Sequence, residues 1–224
     1  MNVDYLDDKN YCSAYSLIKT GDLFGVDMCY HKIPDELYPY DYETYNNYQG
    51  TFYSVVTNIE SGQPEYIPIK DMKKDIDAVR ASASLPLVSR NVNYHDRLYL
   101  DGGIADAIPL RKSIKDGNRK NVVIMTKEAG YRRNPSSMLP FIKLRYRKYP
   151  KVYELMKNRH TAYNETLDFI DEQVKAGNAF LIQPGKKSDV GRIEKDRVKL
   201  QVLYEEGYQE AADCYEELLK FLED

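Results

Sequence analysis

Alternating and continuous apolar positions predict three strands in the first half of the chain. Two runs rich in β-branched and aromatic residues, Thr51–Thr57 and Glu65–Ile69, predict neighbouring strands. Pro68 places the second of these at a sheet edge, because proline cannot donate a hydrogen bond to a neighbouring strand. The segment Val92–Leu100 predicts a further strand that ends at Asp101.

Helical periodicity predicts two helices, and one apolar run predicts a further strand. Apolar positions three and four residues apart predict a helix over Asp71–Ser84, which Pro86 ends, and another over Ala105–Lys115. The continuous apolar segment Asn121–Thr126 is typical of a strand buried on both faces of a parallel sheet. The order strand, helix, strand predicts an α/β fold.

The two ends of the chain differ from this central part. Near the N-terminus, Tyr11–Ile18 predicts a short helix, and the tyrosine-rich residues 33–48 predict an irregular connector. After residue 135 the composition favours helices. The predicted elements there are a helix over Met138–Lys148, a helix over Lys151–Ala176, a strand over Ala179–Pro184 and a helical tail from Asp189.

Composition is typical of a globular protein with a buried core. The chain has 224 residues, of which 42% are hydrophobic and 30% charged, enough for one large domain or one domain with an appendage. The net charge of −3 is too small to indicate a polyanionic partner, so no nucleic acid is expected. The 21 tyrosines, in the absence of tryptophan, favour amphipathic surfaces or grooves.

The cysteines indicate neither a zinc site nor a disulfide framework. Cys12, Cys29 and Cys214 are odd in number and widely spaced, and no Cys-x-x-Cys pair occurs. We therefore expect a reducing, cytoplasmic setting and no cofactor. No apolar run is long enough for a transmembrane helix, and the first ten residues are acidic and polar, unlike a secretory signal.

The segment Asp101-Gly102-Gly103 is the main candidate for chemistry. A carboxylate at a strand end, beside a helix start, could serve as the general base of a nucleophile, with the two glycines supporting a sharp turn. The alternative is structural, because Asp-Gly is a strong hairpin-turn signal. The segment alone favours the turn, although the following Ile104–Pro109 is not typical of a hairpin.

Other nucleophile and triad candidates have weaker support. Ser82 and Ser84 do not lie in a Gly-x-Ser-x-Gly elbow, so they are better explained as small residues that let a helix pack closely. The histidines lack ligand-like neighbours at helical spacing, which argues against a metal site. They are His31, His95 and His160. Only His95 is close in sequence to Asp101.

A second candidate surface is the segment Phe141–Tyr153, which interleaves basic and aromatic residues. Such a segment could meet anionic lipid headgroups or nucleic acid. Because the overall balance is acidic, the sequence favours a helix with a solvated basic face.

Three motifs in order resemble the C-terminal part of bacterial patatin-like phospholipase domains. They are Arg80-Ala81-Ser82-Ala83-Ser84-Leu85-Pro86, Tyr99-Leu100-Asp101-Gly102-Gly103 and Ile108-Pro109. The resemblance covers roughly residues 15–130. It implies a three-layer α/β/α sheet over 1–135 and a mainly helical C-terminal extension over 136–224. Segments such as Arg192–Asp196 resemble the extension of this bacterial subgroup.

The resemblance also implies an activity. Family members hydrolyse lipid acyl esters with a Ser-Asp dyad, which makes Asp101 the catalytic acid and Gly102 and Gly103 its motif support. The serine of a Gly-x-Ser-x-Gly elbow would form an acyl-enzyme that water hydrolyses, while a glycine-rich loop would stabilise the oxyanion. The expected substrate is a lipid or another acyl ester, at or near a membrane surface.

This sequence departs from the family pattern at the nucleophile. The only two glycines four residues apart, Gly21 and Gly25, have Leu23 between them, and there is no glycine-rich loop. We therefore expect an N-terminally truncated sheet, no hydrolysis by this chain alone, and self-association through an open sheet edge. The alternatives are a non-catalytic lipid- or acyl-binding protein with a tyrosine-lined groove, and a peripheral membrane-surface module.

Overall fold

A computed structural model describes residues 3–191 and 193–223. Arg192, the first residue of the predicted extension segment Arg192–Asp196, lies outside this part of the chain. The chain divides into two compact units. Unit 1 comprises 1–107 and 135–160, and unit 2 comprises 108–134 and 161–224. The division into family domains 1–135 and 136–224 stays a prediction.

Unit 1 is built on a small antiparallel sheet. Its strands are β1 (Phe52–Asn58), β2 (Pro64–Ile69), β3 (Val92–Tyr94) and β4 (Arg97–Asp101). The spatial order is β2-β1-β4-β3, so β2 lies at an edge, where Pro68 needs no partner for its nitrogen. The chain is thus a mixed α/β protein. The main sheet is antiparallel, and the three-layer α/β/α fold that the resemblance implies is not confirmed.

A hairpin replaces the single strand predicted over Val92–Leu100. Tyr94 pairs with Arg97, and the two residues between them, His95 and Asp96, have φ angles of 49° and 59°. Two successive positive φ angles are what a tight two-residue hairpin requires. The usual Asn-Gly or Asp-Gly signal is absent here, which is why the residue pattern did not predict the turn.

Eight α-helices accompany the strands in the described residues. In chain order they are α1 (Ala14–Thr20), α2 (Tyr42–Asn47), α3 (Ile76–Ser82), α4 (Leu110–Lys115), α5 (Leu139–Arg145), α6 (Pro150–Lys175), α7 (Arg197–Asp213) and α8 (Tyr215–Glu223). A π-helix, Met28–Leu37, precedes α2, so much of the predicted irregular connector is helical. None of the helices described combines the length and apolar character needed to cross a membrane.

Side-chain caps shorten or shift the predicted helices. Ser13 accepts a hydrogen bond from the Ser16 amide and starts α1 three residues later than predicted. The predicted helix over Asp71–Ser84 begins only at Ile76, because the Asp71 carboxylate binds the amides of Lys73 and Lys74 in a turn. After Asp101 the chain first forms a 3-10 turn, which delays α4 to Leu110.

Helices pack on both sides of the four-stranded sheet of unit 1. Tyr99 and Leu100 are adjacent in β4 and therefore face opposite sides. Tyr99 packs with Ala81 of α3. Leu100 belongs to a core that α5 and the start of α6 complete. That core consists of Ile59, Leu100, Ile104, Ile142, Tyr146, Val152 and Met156. The carboxyl end of β4 is consequently held from both faces.

Unit 2 contains a separate parallel strand pair. The strands β5 (Asn121–Ile124) and β6 (Ala179–Ile182) run parallel, and Val123 and Ala179 pack against Ile170 of α6. Parallel pairing was predicted for β5, but burial on both faces was not found, because Ile124 is 74% exposed. The strand instead alternates between buried and exposed residues.

Glu65 forms hydrogen bonds from the edge strand β2 to the two central strands and makes the stability of the sheet dependent on pH. Tyr99 Oη donates to Glu65 Oε2 at 2.7 Å, and Asn58 Nδ2 donates to Oε1 at 2.8 Å. Burial raises the pKa of Glu65, but the hydrogen bonds from Tyr99 and Asn58 and the charge of Arg97 outweigh it, so the pKa lies below its ordinary value. A lowered pKa stabilises the folded state above the unfolded pKa, and this stabilisation is lost as the pH falls through the folded value.

We therefore expect Glu65→Gln to lower the stability of the protein at neutral pH and to have a much smaller effect near pH 3. Urea unfolding midpoints at both pH values measure this difference. Glu60→Gln, at an exposed turn residue, is the matched control and should change neither midpoint. A Glu65→Gln effect of equal size at both pH values would contradict the proposed charge dependence.

Candidate functional site

The backbone of Asp101 is fixed at the carboxyl end of β4. Asp101 pairs with Val56 of β1 across the sheet. The Asp101 amide donates to the Ser84 carbonyl oxygen at 2.9 Å, and its carbonyl oxygen accepts from Thr57 Oγ1 at 2.8 Å. The carboxylate is therefore attached to a strand end that cannot shift without breaking hydrogen bonds to β1 and to the segment after α3.

The Asp101 carboxylate folds over the turn that follows it. Gly103 donates its amide hydrogen to Asp101 Oδ1 at 2.6 Å, and Arg159 Nε of α6 donates to the Gly103 carbonyl oxygen at 2.6 Å. A Cβ atom on Gly103 would lie 2.9 Å from Asp101 Oδ1 and 3.2 Å from Arg159 Nη2. The carboxylate and the guanidinium thus border the same small space above Gly103.

Gly102 is required for a different reason. A Cβ atom on Gly102 would lie 2.2 Å from the Val55 carbonyl oxygen, far inside any allowed contact. The glycine pair therefore serves two purposes: Gly102 lets the turn pass against β1, and Gly103 leaves room for Asp101 and Arg159.

The hairpin interpretation of Asp101-Gly102 does not describe this segment. The chain passes from β4 into the 3-10 turn Gly102–Ile104, whereas the nearby hairpin is at His95–Asp96. His95 lies at the opposite end of β4, about 13 Å or more from Asp101 at a rise of about 3.3 Å per residue. This distance excludes His95 as a direct partner of the Asp101 carboxylate.

Ser84, the serine that contacts Asp101, has a structural role. Ser84 is buried, and its Oγ donates to the Arg80 carbonyl oxygen at 2.8 Å, while its own carbonyl oxygen holds the Asp101 amide. Ser82 is the last residue of α3. These contacts agree with small residues that allow close packing at the end of a helix, the interpretation the sequence favours.

Arg159 is a site residue that the sequence pattern did not predict. It lies seven residues after Val152, three after Met156 and four before Tyr163, all buried residues of α6. That spacing puts a charged residue on the inward side of an otherwise apolar stripe. A cation at a core-facing helical position needs a buried polar partner. A charged residue within the apolar stripe of α6 was therefore the sequence signal that could have identified Arg159.

A cavity of about 300 Å³ lies beside the Ser84 segment in unit 1. Its lining comes from the N-terminal segment and from the end of α3 with the following loop. The lining residues are Tyr11, Asp22, Phe24, Val26, Cys29, Tyr30, Ile33, Arg80, Ala83, Ser84 and Ser89. Ser84 connects the cavity to the Asp101 turn, because it lines the cavity and binds the Asp101 backbone.

Hydrogen bonds hold the two walls of the cavity together. The Leu23 amide donates to the Val88 carbonyl oxygen, and the Arg90 amide donates to Asp22 Oδ1, each at 2.9 Å. Leu87, the residue before Val88, has a φ of 71°, an unfavourable angle for a residue with a side chain. Its side chain packs on the core of unit 1, which compensates for this backbone strain.

Tyr11, Cys29 and Tyr30 of the cavity lining are neutral at pH 7, because burial raises the pKa of each. Burial, with a smaller contribution from Cys12, raises the pKa of Cys29 to about 11, so its thiolate is about one part in ten thousand at pH 7. Burial, together with Cys29, raises the pKa of Tyr30 to about 12, although Arg80 acts in the opposite direction. Cys29 is therefore a poor nucleophile.

The chemistry of the lining suits a small amphipathic ligand. Arg80 supplies a cation, and its Nε also binds Asp77 Oδ1 at 2.9 Å. Phe24 and Ile33 supply apolar wall. Across residues 3–191 and 193–223, no group of three or more histidine, cysteine, aspartate and glutamate side chains is arranged to hold a metal ion.

Comparisons with known proteins correct the family resemblance. The model of a domain of unknown function, DUF6363, matches residues 149–223, and no patatin-like phospholipase family matches. The uncharacterized protein YjjU of Escherichia coli (strain K12) is 28% identical over 150 residues, which cover 61% of this chain and 38% of YjjU. The assignment to patatin-like phospholipases is therefore wrong. Two of the residues that carried the resemblance have structural explanations: the Ser84 carbonyl oxygen holds the Asp101 amide, and a Cβ on Gly102 would meet the Val55 carbonyl oxygen.

Proposed function

We propose that unit 1 carries the acidic residue of a site that hydrolyses lipid or other acyl esters, with Asp101 as the general base. The observation that supports this is the fixed carboxylate at the end of β4, held by the Gly103 amide and bordered by Arg159. A carboxylate fixed on a rigid strand end can accept a proton from a serine hydroxyl placed opposite it.

The proposed reaction needs a serine that this site does not supply. The nearby Ser84 hydroxyl is engaged with the Arg80 carbonyl oxygen. In the proposal, a serine from outside this sequence attacks the ester carbonyl as Asp101 takes its proton, and water then hydrolyses the acyl-enzyme. The match to only 38% of YjjU supports a larger whole protein. A three-layer α/β/α arrangement of that whole is part of the proposal.

We expect this chain alone to give no turnover of a chromogenic acyl ester and no labelling by a serine-reactive fluorophosphonate. In a longer form that carries the serine, Asp101→Asn should lower kcat at least about a hundredfold, because the general base is lost. Asp77→Asn, the removal of a carboxylate bound to Arg80, is the control and should keep most of the activity.

Two outcomes would contradict the proposal. Turnover by this chain alone that Asp101→Ala abolishes would show a nucleophile within it. Full activity of Asp101→Asn in the longer form would show that Asp101 only shapes the turn. Thermal unfolding of each variant separates a loss of chemistry from a loss of folding.

The cavity beside Ser84 favours a second function, non-catalytic binding of an acyl ligand. A volume of about 300 Å³ with Arg80 and an apolar wall at Phe24 and Ile33 suits a medium-chain fatty acid, with its carboxylate near the guanidinium. Cys29 lines the same space and therefore reports on occupancy.

We expect octanoate to slow the alkylation of Cys29 by iodoacetamide at mildly alkaline pH by about fivefold or more. Peptide mass spectrometry distinguishes Cys29 from Cys214, which lies outside the lining and is the internal control. Arg80→Gln should remove the protection, because the carboxylate loses its cation, whereas Asp101→Asn should keep it. Equal alkylation of Cys29 with and without octanoate would exclude this binding function.

A further inference from the structure

The outward side of α5 is apolar. Ile142 and the following Tyr146 are each 1% exposed and pack in the core of unit 1. Phe141 and Leu144 are three residues apart and therefore share the opposite side of the helix, where they are 60% and 72% exposed. Met138, just before the helix, is also exposed. Neighbouring large apolar side chains left open to water indicate a surface that binds something.

Cations surround this apolar stripe. No aspartate or glutamate occurs between Glu128 and Glu154, a long interval for a chain with net charge −3. The exposed cations near the stripe are Lys143, Arg145, Arg147, Lys148 and Lys151. In the part of the chain that the structure describes, none of them forms an ion pair. We call these cations and the three exposed apolar residues the basic–apolar face.

We propose that the basic–apolar face docks on the surface of an anionic phospholipid bilayer. Phe141 and Leu144 would enter the boundary between headgroups and acyl chains. Lys143 and Arg145 directly flank the stripe, so their long side chains can extend to the lipid phosphates. The complementarity of cations to anionic lipid and of apolar side chains to the acyl boundary identifies the partner. The proposal is independent of any chemistry at Asp101.

Nucleic acid fits the same surface less well. Phosphate contacts need only the cations, and an aromatic residue can stack on an unpaired base. An exposed Leu144 at the centre of the surface has no comparable partner in a nucleic acid, whereas a bilayer accepts it. The two partners therefore differ in whether the apolar pair contributes to binding.

The absence of tryptophan allows a direct test of insertion. Phe141→Trp introduces the sole tryptophan of the full chain, since the sequence has none. On addition of vesicles of phosphatidylcholine with phosphatidylserine, its emission should shift to shorter wavelength and be quenched by brominated acyl chains. Ile18→Trp, at an α1 residue that is 87% exposed, is the control and should not respond. Pure phosphatidylcholine vesicles should produce at most a weak response.

Paired substitutions then measure both parts of the face by vesicle cosedimentation. Phe141→Ser with Leu144→Ser should weaken binding about tenfold or more. Arg147→Glu with Lys148→Glu should weaken it by about fivefold or more for each cation, and added salt should weaken the wild type. Lys9→Glu with Lys19→Glu changes the net charge equally at exposed residues elsewhere and should bind like the wild type. Asp101→Asn should also bind like the wild type.

Three results would overturn the inference. The first is no binding of the wild-type chain to phosphatidylserine vesicles at low salt. The second is equal loss of binding in the Lys9/Lys19 control, which would indicate a net-charge effect. The third is a serine pair that leaves binding unchanged while the Arg147/Lys148 pair abolishes binding to both vesicles and single-stranded DNA, which would indicate a general polyanion surface.

Discussion

Gly102→Ala should destabilise unit 1 by about 3 kcal/mol. The added Cβ would meet the Val55 carbonyl oxygen at 2.2 Å and the Val55 carbonyl carbon at 2.5 Å. Both atoms belong to the backbone of the central strand β1, so they cannot move aside as a flexible side chain could. Relief requires the turn to leave β1, which breaks the hydrogen bond from Thr57 Oγ1 to the Asp101 carbonyl oxygen.

Urea unfolding followed by circular dichroism measures this loss, and another glycine is the control. Gly207 lies inside α7, and apart from its chain neighbours and the backbone of its own helix no atom is within 4 Å of its ideal Cβ position. Gly207→Ala should therefore leave the protein as stable as the wild type or about 0.5–1 kcal/mol more stable. Gly102→Ala unfolding at the wild-type midpoint would show that the turn does not pack on β1 as described.

Ile142→Ala should cost about 3 kcal/mol, whereas Leu144→Ala on the same helix should cost less than about 0.5 kcal/mol. Ile142 is 1% exposed and packs with Ile59, Leu100 and Ile104, so its truncation leaves a cavity under the sheet. Leu144 is 72% exposed and has little packing to lose. Two branched aliphatic residues in one short helix thus form a matched pair.

The comparison of Ile142→Ala and Leu144→Ala in urea also tests the orientation of α5. Equal destabilisation would mean that Leu144 is buried in solution, and the basic–apolar face would then lose its apolar stripe. A Leu144→Ala effect near zero, together with normal folding, leaves that face free for the vesicle experiments.

Local patterns predicted the strands but not how they turn. The β-branched run around Val55 and Val56 left little choice for β1, and Pro68 predicted the edge position of β2. The turn at His95–Asp96 uses positive φ angles without glycine, and His and Asp, although they tolerate such angles, indicate a hairpin turn less strongly than Asn-Gly does. The start of α3 depends on the Asp71 carboxylate, which competes with helix formation through local hydrogen bonds.

For the candidate site, the sequence predicted that Asp101 lies at a strand end, but it did not predict which residues surround Asp101 in the fold. The end of a strand at Asp101 followed from the apolar run before it and the glycines after it. Arg159 reaches the Gly103 carbonyl oxygen from 56 residues away, a contact that only the tertiary fold determines. The helix over α5 was predicted, but which of its residues face solvent depends on the core formed by Ile59 and Leu100.

The positions of the unit 1 core residues along the chain also determine when this core can form during synthesis. Ile59 and Leu100 can be buried only after Ile142 and Val152 have left the ribosome. At about 5–20 residues per second, the interval from β4 to the start of α6 lasts about 3 to 10 seconds. Throughout that time the sheet strands expose an apolar face that the completed protein buries.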